Sequence, residues 1–335
     1  MSNAVPLLLL FLPILVLVIA ANVVEERSTE LARRRFAWSL ALINLPLLLV
    51  GFLLLLFPAR FSRFFDSPEL IFNDPRLLGV VLLATGLWTV AACWVPFRRF
   101  LAGFLPLDSQ STVHMTALVL AGYLVGNTAV TLSQNYLEQL SELDLVVSTA
   151  EIVLQQAAFV TLAFIGSGLF TRRSLNQVNQ RLGLLLPTGQ QLLVAVGAII
   201  LLLLIQATIG GMWAFFDPQQ AQELGSINES LLTDFDTVGE WLVLALAAGI
   251  GEEILFRGAL QPVFGLPLTA LLFAVVHVQY GLTPITVAVF LLAVVLGLVR
   301  RHTNTTVAIL VHFGYNFALG LLSMLAVYLE QFVTP

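Results

Sequence analysis

Ten apolar stretches follow one another along this 335-residue chain, at 5–21, 36–57, 77–97, 112–132, 147–170, 190–216, 237–256, 266–280, 284–299 and 304–328. A stretch of about 20 apolar residues matches the hydrocarbon core of a bilayer. In lipid a single segment can satisfy its own backbone groups only as a helix. The expected fold class is therefore all-α, a polytopic membrane helix bundle of about ten transmembrane helices. The stretch at 266–280 is short for a full span. Composition agrees: only 10% of residues are charged, where soluble domains carry about 25%. The first stretch has no basic residues before it, so it reads as a retained anchor and not a cleaved signal peptide.

The polar connections give orientation and division. All 15 basic residues are arginine, and the net charge is −5. No basic footprint for nucleic acid exists, and the partner implied at this level is the lipid bilayer. The one cysteine, Cys93, allows neither an intrachain disulfide nor a CxxC site. Arg27, Arg33–Arg35, Arg98, Arg99, Arg172, Arg173, Arg181, Arg300 and Arg301 fall in alternate connections, whereas the others hold only Arg60, Arg63 and Arg76. The positive-inside rule then places the first group in the cytoplasm and both termini outside. Reporter fusions after residues 105 and 180 are expected to read cytoplasmic, and an outside signal at either overturns this orientation. The polar connection at 172–187 divides the chain into an N-terminal transmembrane bundle (1–187), of no assignable role, and a C-terminal bundle (188–335). The segment 58–75 mixes Phe, Pro and charge and reads as interfacial. The acidic loop at 219–240 reads as helical in part.

Against this apolar background the sequence GIGEEILFRGAL, residues 249–260, is costly. An ionised side chain at the bilayer centre costs about 2.5–3.5 kcal/mol on insertion scales. Glu253 and Arg257 are four residues apart and meet on one helix face, whereas Glu252 points elsewhere and stays free to act. His277 closes FAVVH (273–277), and HFGYN (312–316) sets His312 and Asn316 four residues apart on one face. Each cluster alone has an ordinary explanation. Charges at helix ends snorkel to the headgroups, and buried His or Asn bonds helices together. Together they put two carboxylates, one guanidinium, two imidazoles and an amide on three otherwise apolar helices. A carboxylate and a histidine can activate water, and His and Asn N–H groups suit an oxyanion.

In their order and spacing, EExxxR at Glu252–Arg257, FxxxH at Phe273–His277 and HxxxN at His312–Asn316 resemble the CPBP family of intramembrane proteases, which includes the CAAX prenyl endopeptidases and the bacterial Abi immunity proteins. The resemblance covers about 237–328. It implies an intramembrane endopeptidase that acts on a membrane-associated peptide or protein, in a bacterial plasma membrane, with its site toward the cytoplasm. Glu252 would be the general base, His277 its partner on the water or the leaving amine, His312 and Asn316 the oxyanion donors, and Glu253 with Arg257 the orienting pair. No cofactor is required on this reading. HExxH is absent, although Glu252, His277 and His312 form a candidate three-ligand zinc set. Two rivals remain open: a non-catalytic immunity or scaffold protein of the same fold, and a proton-coupled transporter. A transporter would show broken helices in both halves, whereas here the ionisable residues lie in one.

Overall fold

The computed structural model describes residues 4–27, 29–65, 74–132, 148–233 and 235–333. Fifteen α-helices are named among them: α1 (Ala4–Arg27), α2 (Glu30–Ile43), α3 (Leu45–Leu56), α4 (Pro58–Phe65), α5 (Pro75–Cys93), α6 (Val95–Leu101), α7 (Thr112–Leu132), α8 (Thr149–Gly166), α9 (Leu175–Leu182), α10 (Gly189–Phe216), α11 (Pro218–Leu231), α12 (Val238–Glu253), α13 (Gln261–Val276), α14 (Pro284–His302) and α15 (Thr305–Val333). A π-helix, Ile254–Leu260, joins α12 to α13. The helix starts are written locally. Ser148 with Glu151, Ser174 with Gln177, Thr188 with Gln191 and Thr237 with Glu240 each form a reciprocal capping box, which satisfies backbone donors that the first turn leaves free.

The protein is an all-helical membrane bundle. Among the described residues, eight helical stretches are long and apolar enough to cross a membrane. The sequence leads to about ten, and two places account for the difference. The first apolar stretch forms α1, which lies outside those eight. The stretches at 237–256 and 266–280 fall in one continuous helical run, Val238–Val276. That run is not straight. Gly265 sits at φ 74°, ψ 168°, a left-handed value that suits a residue without Cβ, and Pro267 follows. The chain reverses there: the rings of Phe256 and Phe273, 17 positions apart, have centroids 5.0 Å from each other. Residues 266–276 thus run back beside 252–264 as the second arm of a hairpin. Eleven residues extend about 16 Å, roughly half the hydrocarbon thickness, so this arm does not span. The segment 219–240 is helical over Pro218–Leu231, as its composition suggests. Of the interfacial stretch, Pro58–Phe65 is helical, while residues 66–73 lie outside the described residues.

The connections that share arginines meet at one end of the bundle. Arg172 bonds Glu25 at 3.2 Å and Asn22 at 3.0 Å. Glu25 in turn accepts from Ser111 Oγ and from the Val113 amide at the start of α7. Thr305 N donates to Gly183 O, and Arg181 Nη1 reaches Gly258 O. Burial lowers the Arg181 guanidinium below the ordinary arginine range, and the charges of Arg173, Arg300 and Arg172 add to the effect. The core between the helices is built from Met115, Leu118, Leu202, Phe264, Phe273, Leu296 and Val311, all fully or nearly buried.

Candidate active site

The hairpin at Gly265 makes the site. Glu252 lies 13 residues before the turn and His277 lies 12 after it, so the two arms bring them level. His277 Nε2 stands 3.8 Å from Glu252 Oε2. The other ring nitrogen, Nδ1, is 2.7 Å from Phe273 O. A carbonyl only accepts, so Nδ1 carries the proton, and in the neutral ring Nε2 presents a lone pair to the carboxylate. Glu252 Oε2 is buried and has no partner among the described residues. Two acceptors separated by that gap are suited to one bridging water, which can donate a hydrogen to each.

The second carboxylate serves a different neighbourhood. Glu253 is fully buried, and its Oε1 receives both Arg257 Nη1 and His312 Nδ1, each at 2.8 Å. Arg257, 1% exposed, also donates to Ala293 O at 3.3 Å and lies over the Phe273 ring at 4.2 Å. The i, i+4 pairing of Glu253 and Arg257 expected from the sequence is present. The bond from His312 is additional: it fixes the ring so that Nδ1 carries a proton and the Nε2 edge is turned away from Glu253. Asn316 follows one turn later on α15. Glu252, His277, His312 and Asn316 all line a single cavity of about 1510 Å³. The wall also includes Arg172 and Arg181.

Close helix contacts hold this arrangement. A Cβ added at Gly249 would meet the Phe313 amide nitrogen on α15 at 3.1 Å, and one at Gly251 would meet Gln156 Cα on α8 at 2.9 Å. Small residues let membrane helices approach this far. Through the second contact Gln156 enters the site: its Nε2 donates to Glu252 Oε1 at 3.3 Å, and the residue is 7% exposed. Sequence reading missed Gln156. It lies about a hundred residues from the motifs, in a helix whose apolar pattern gives no pointer to them. It also missed the π-helix that carries Arg257, although such helices occur often at functional sites. Gly265 with Pro267 was the available breaker signal for the hairpin.

Residues 234–318, about a quarter of the chain, match the family model described as type II CAAX prenyl endopeptidase Rce1-like. This segment is similar to the type II CAAX prenyl endopeptidases. No curated protein and no solved structure matches the chain. The matched segment holds all six motif residues, from Glu252 to Asn316, whereas Gln156 lies outside it. Glu252, His277 and His312 share the cavity wall, but among the described residues no three His, Cys, Asp or Glu side chains are grouped so as to hold a metal ion. His312 Nδ1 is already engaged by Glu253.

Proposed function

We propose that the protein is an intramembrane endopeptidase in which Glu252 and His277 activate water for attack on a peptide carbonyl at the cytoplasmic membrane face. The observation that carries this reading is the pair of facing acceptors, Glu252 Oε2 and His277 Nε2, 3.8 Å apart, on the wall of a cavity large enough for a peptide segment. A water between them gives one proton to the Glu252 carboxylate as its oxygen bonds to the scissile carbon. The carbonyl π electrons move to oxygen. Asn316 supplies an amide N–H to that oxyanion, and His312 donates from Nε2 when its ring is protonated. The tetrahedral intermediate then collapses. The C–N bond breaks, and the amine leaves with a proton returned by Glu252 through His277. Glu253 and Arg257 touch no reacting atom on this reading; they set the direction of His312. No step is routed through a metal.

The mostly apolar wall suits a membrane-associated peptide or protein as substrate. The test is a peptidase assay on the detergent-purified protein with a library of membrane peptides, run on wild type and Glu252→Ala, with and without a zinc chelator. Cleavage is expected from wild type, unaffected by chelation, and none from Glu252→Ala. Loss of cleavage under chelator with recovery on added zinc would replace the metal-free mechanism. Equal behaviour of wild type and Glu252→Ala would leave the non-catalytic scaffold as the better account.

A further inference from the structure

Glu252 has two carboxylate oxygens with different surroundings. Oε2 faces His277 and has no partner among the described residues. Oε1 accepts from Gln156 Nε2. A carboxylate at the end of a side chain with three rotatable bonds does not hold a fixed direction unaided. A general base, however, must aim at the water that it deprotonates. The only side-chain donor to Glu252 among the described residues is Gln156, and the backbone geometry favours the contact. Gly251, next to the base, leaves the space that the stem of Gln156 occupies: a Cβ there would lie 2.7 Å from Gln156 Cβ. A glutamine that is 7% exposed on an apolar helix needs a polar partner, and its Oε1 has none among the described residues, so the bond to Glu252 is its whole side-chain satisfaction there.

We infer that Gln156 is a positioning residue for the general base: by holding Oε1 of Glu252 it points Oε2 at His277 and the water between them. This inference rests on the proposed peptidase reading. It means that the site is not complete within the matched segment, residues 234–318, because one of its supports comes from α8. Gln156 touches no reacting atom and acts through Glu252 alone.

Two measurements on the full-length protein in detergent test it. In the peptidase assay, Gln156→Met keeps the length and removes the donor. It is expected to lower kcat about 10–100-fold, as loss of an orienting partner does, with KM changed less than about twofold, since substrate contacts are untouched. A merely structural role would instead lower the folded fraction and leave kcat per folded molecule alone; a thermal melt of each sample separates the two. An unchanged kcat, or a rise in KM alone, overturns the inference. The second measurement needs no activity. The infrared difference between wild type and Glu252→Gln isolates the carboxylate stretch of Glu252. In the Gln156→Met background that band is expected to shift, because the carboxylate has lost a donor. A band at the wild-type position overturns the inference even if the protein proves not to be a peptidase. An inactive wild type with a shifted band overturns the function and leaves the positioning intact.

Discussion

Glu252→Gln is expected to reduce peptide cleavage by about a thousandfold or more while leaving the melting temperature in detergent within a few degrees of wild type. A positioned general base contributes about 10²–10⁴-fold to rate, and in the proposed mechanism the same carboxylate also binds the nucleophile. The amide has the shape of the carboxylate and can still accept at one atom, but it cannot take the proton. Stability should be little affected because Glu252 is not embedded in the buried ion cluster. Its side chain is 14% exposed on the cavity wall, and its one side-chain bond, from Gln156, is 3.3 Å long. A glutamine there can accept that bond through its own carbonyl oxygen. A variant that loses the fold together with the activity would show that Glu252 is structural.

Glu253→Gln is expected to do the reverse in kind: to lose about 3–5 kcal/mol of stability, the usual cost of stranding one member of a buried pair, with activity falling as a consequence. Glu253 Oε1 is the common acceptor for Arg257 and His312. Without its charge, the buried Arg257 guanidinium and the His312 ring are left to share one neutral amide oxygen, and Arg257 otherwise has only the Ala293 carbonyl and the Phe273 face. The decisive comparison is a double variant. Glu253→Leu with Arg257→Leu removes both charges, so its stability should exceed that of either single variant, because replacing a buried pair with apolar groups is often neutral. It should still be inactive, since His312 is no longer held. A double variant as unstable as the sum of the singles would mean that the two charges are not coupled to each other.

The motif residues were legible because the bilayer makes them conspicuous. In a chain where 10% of residues are charged, a Glu-Glu pair within an apolar stretch stands out, and i, i+4 spacing is enough to place Glu253 with Arg257 and Asn316 with His312. The helices were legible for the same reason, since length and hydropathy decide them. What could not be read is everything that depends on how distant segments meet. Periodicity places His312 on a helix face but does not say that Glu253 lies opposite it. The approach of Gln156 depends on the packing of α8 against α12, and glycines near a motif do not name their neighbour. The hairpin is an intermediate case. Gly265 and Pro267 mark a break, but a break alone does not distinguish a kink from a reversal of direction; the contact of Phe256 with Phe273 does.

The reversal at Gly265 also makes the two arms into a pair of levers with a common fulcrum. Glu252 stands 13 residues from the pivot, about 19 Å along a helix, and His277 stands at nearly the same distance on the other arm. A change of about 3° in the angle between the arms therefore opens or closes the gap between base and imidazole by about 1 Å, and a misplacement of that size costs roughly a hundredfold in rate. The pivot lies far from the reacting atoms and against the loop at Pro106. A displacement at that contact is multiplied along the arms before it reaches Glu252 and His277.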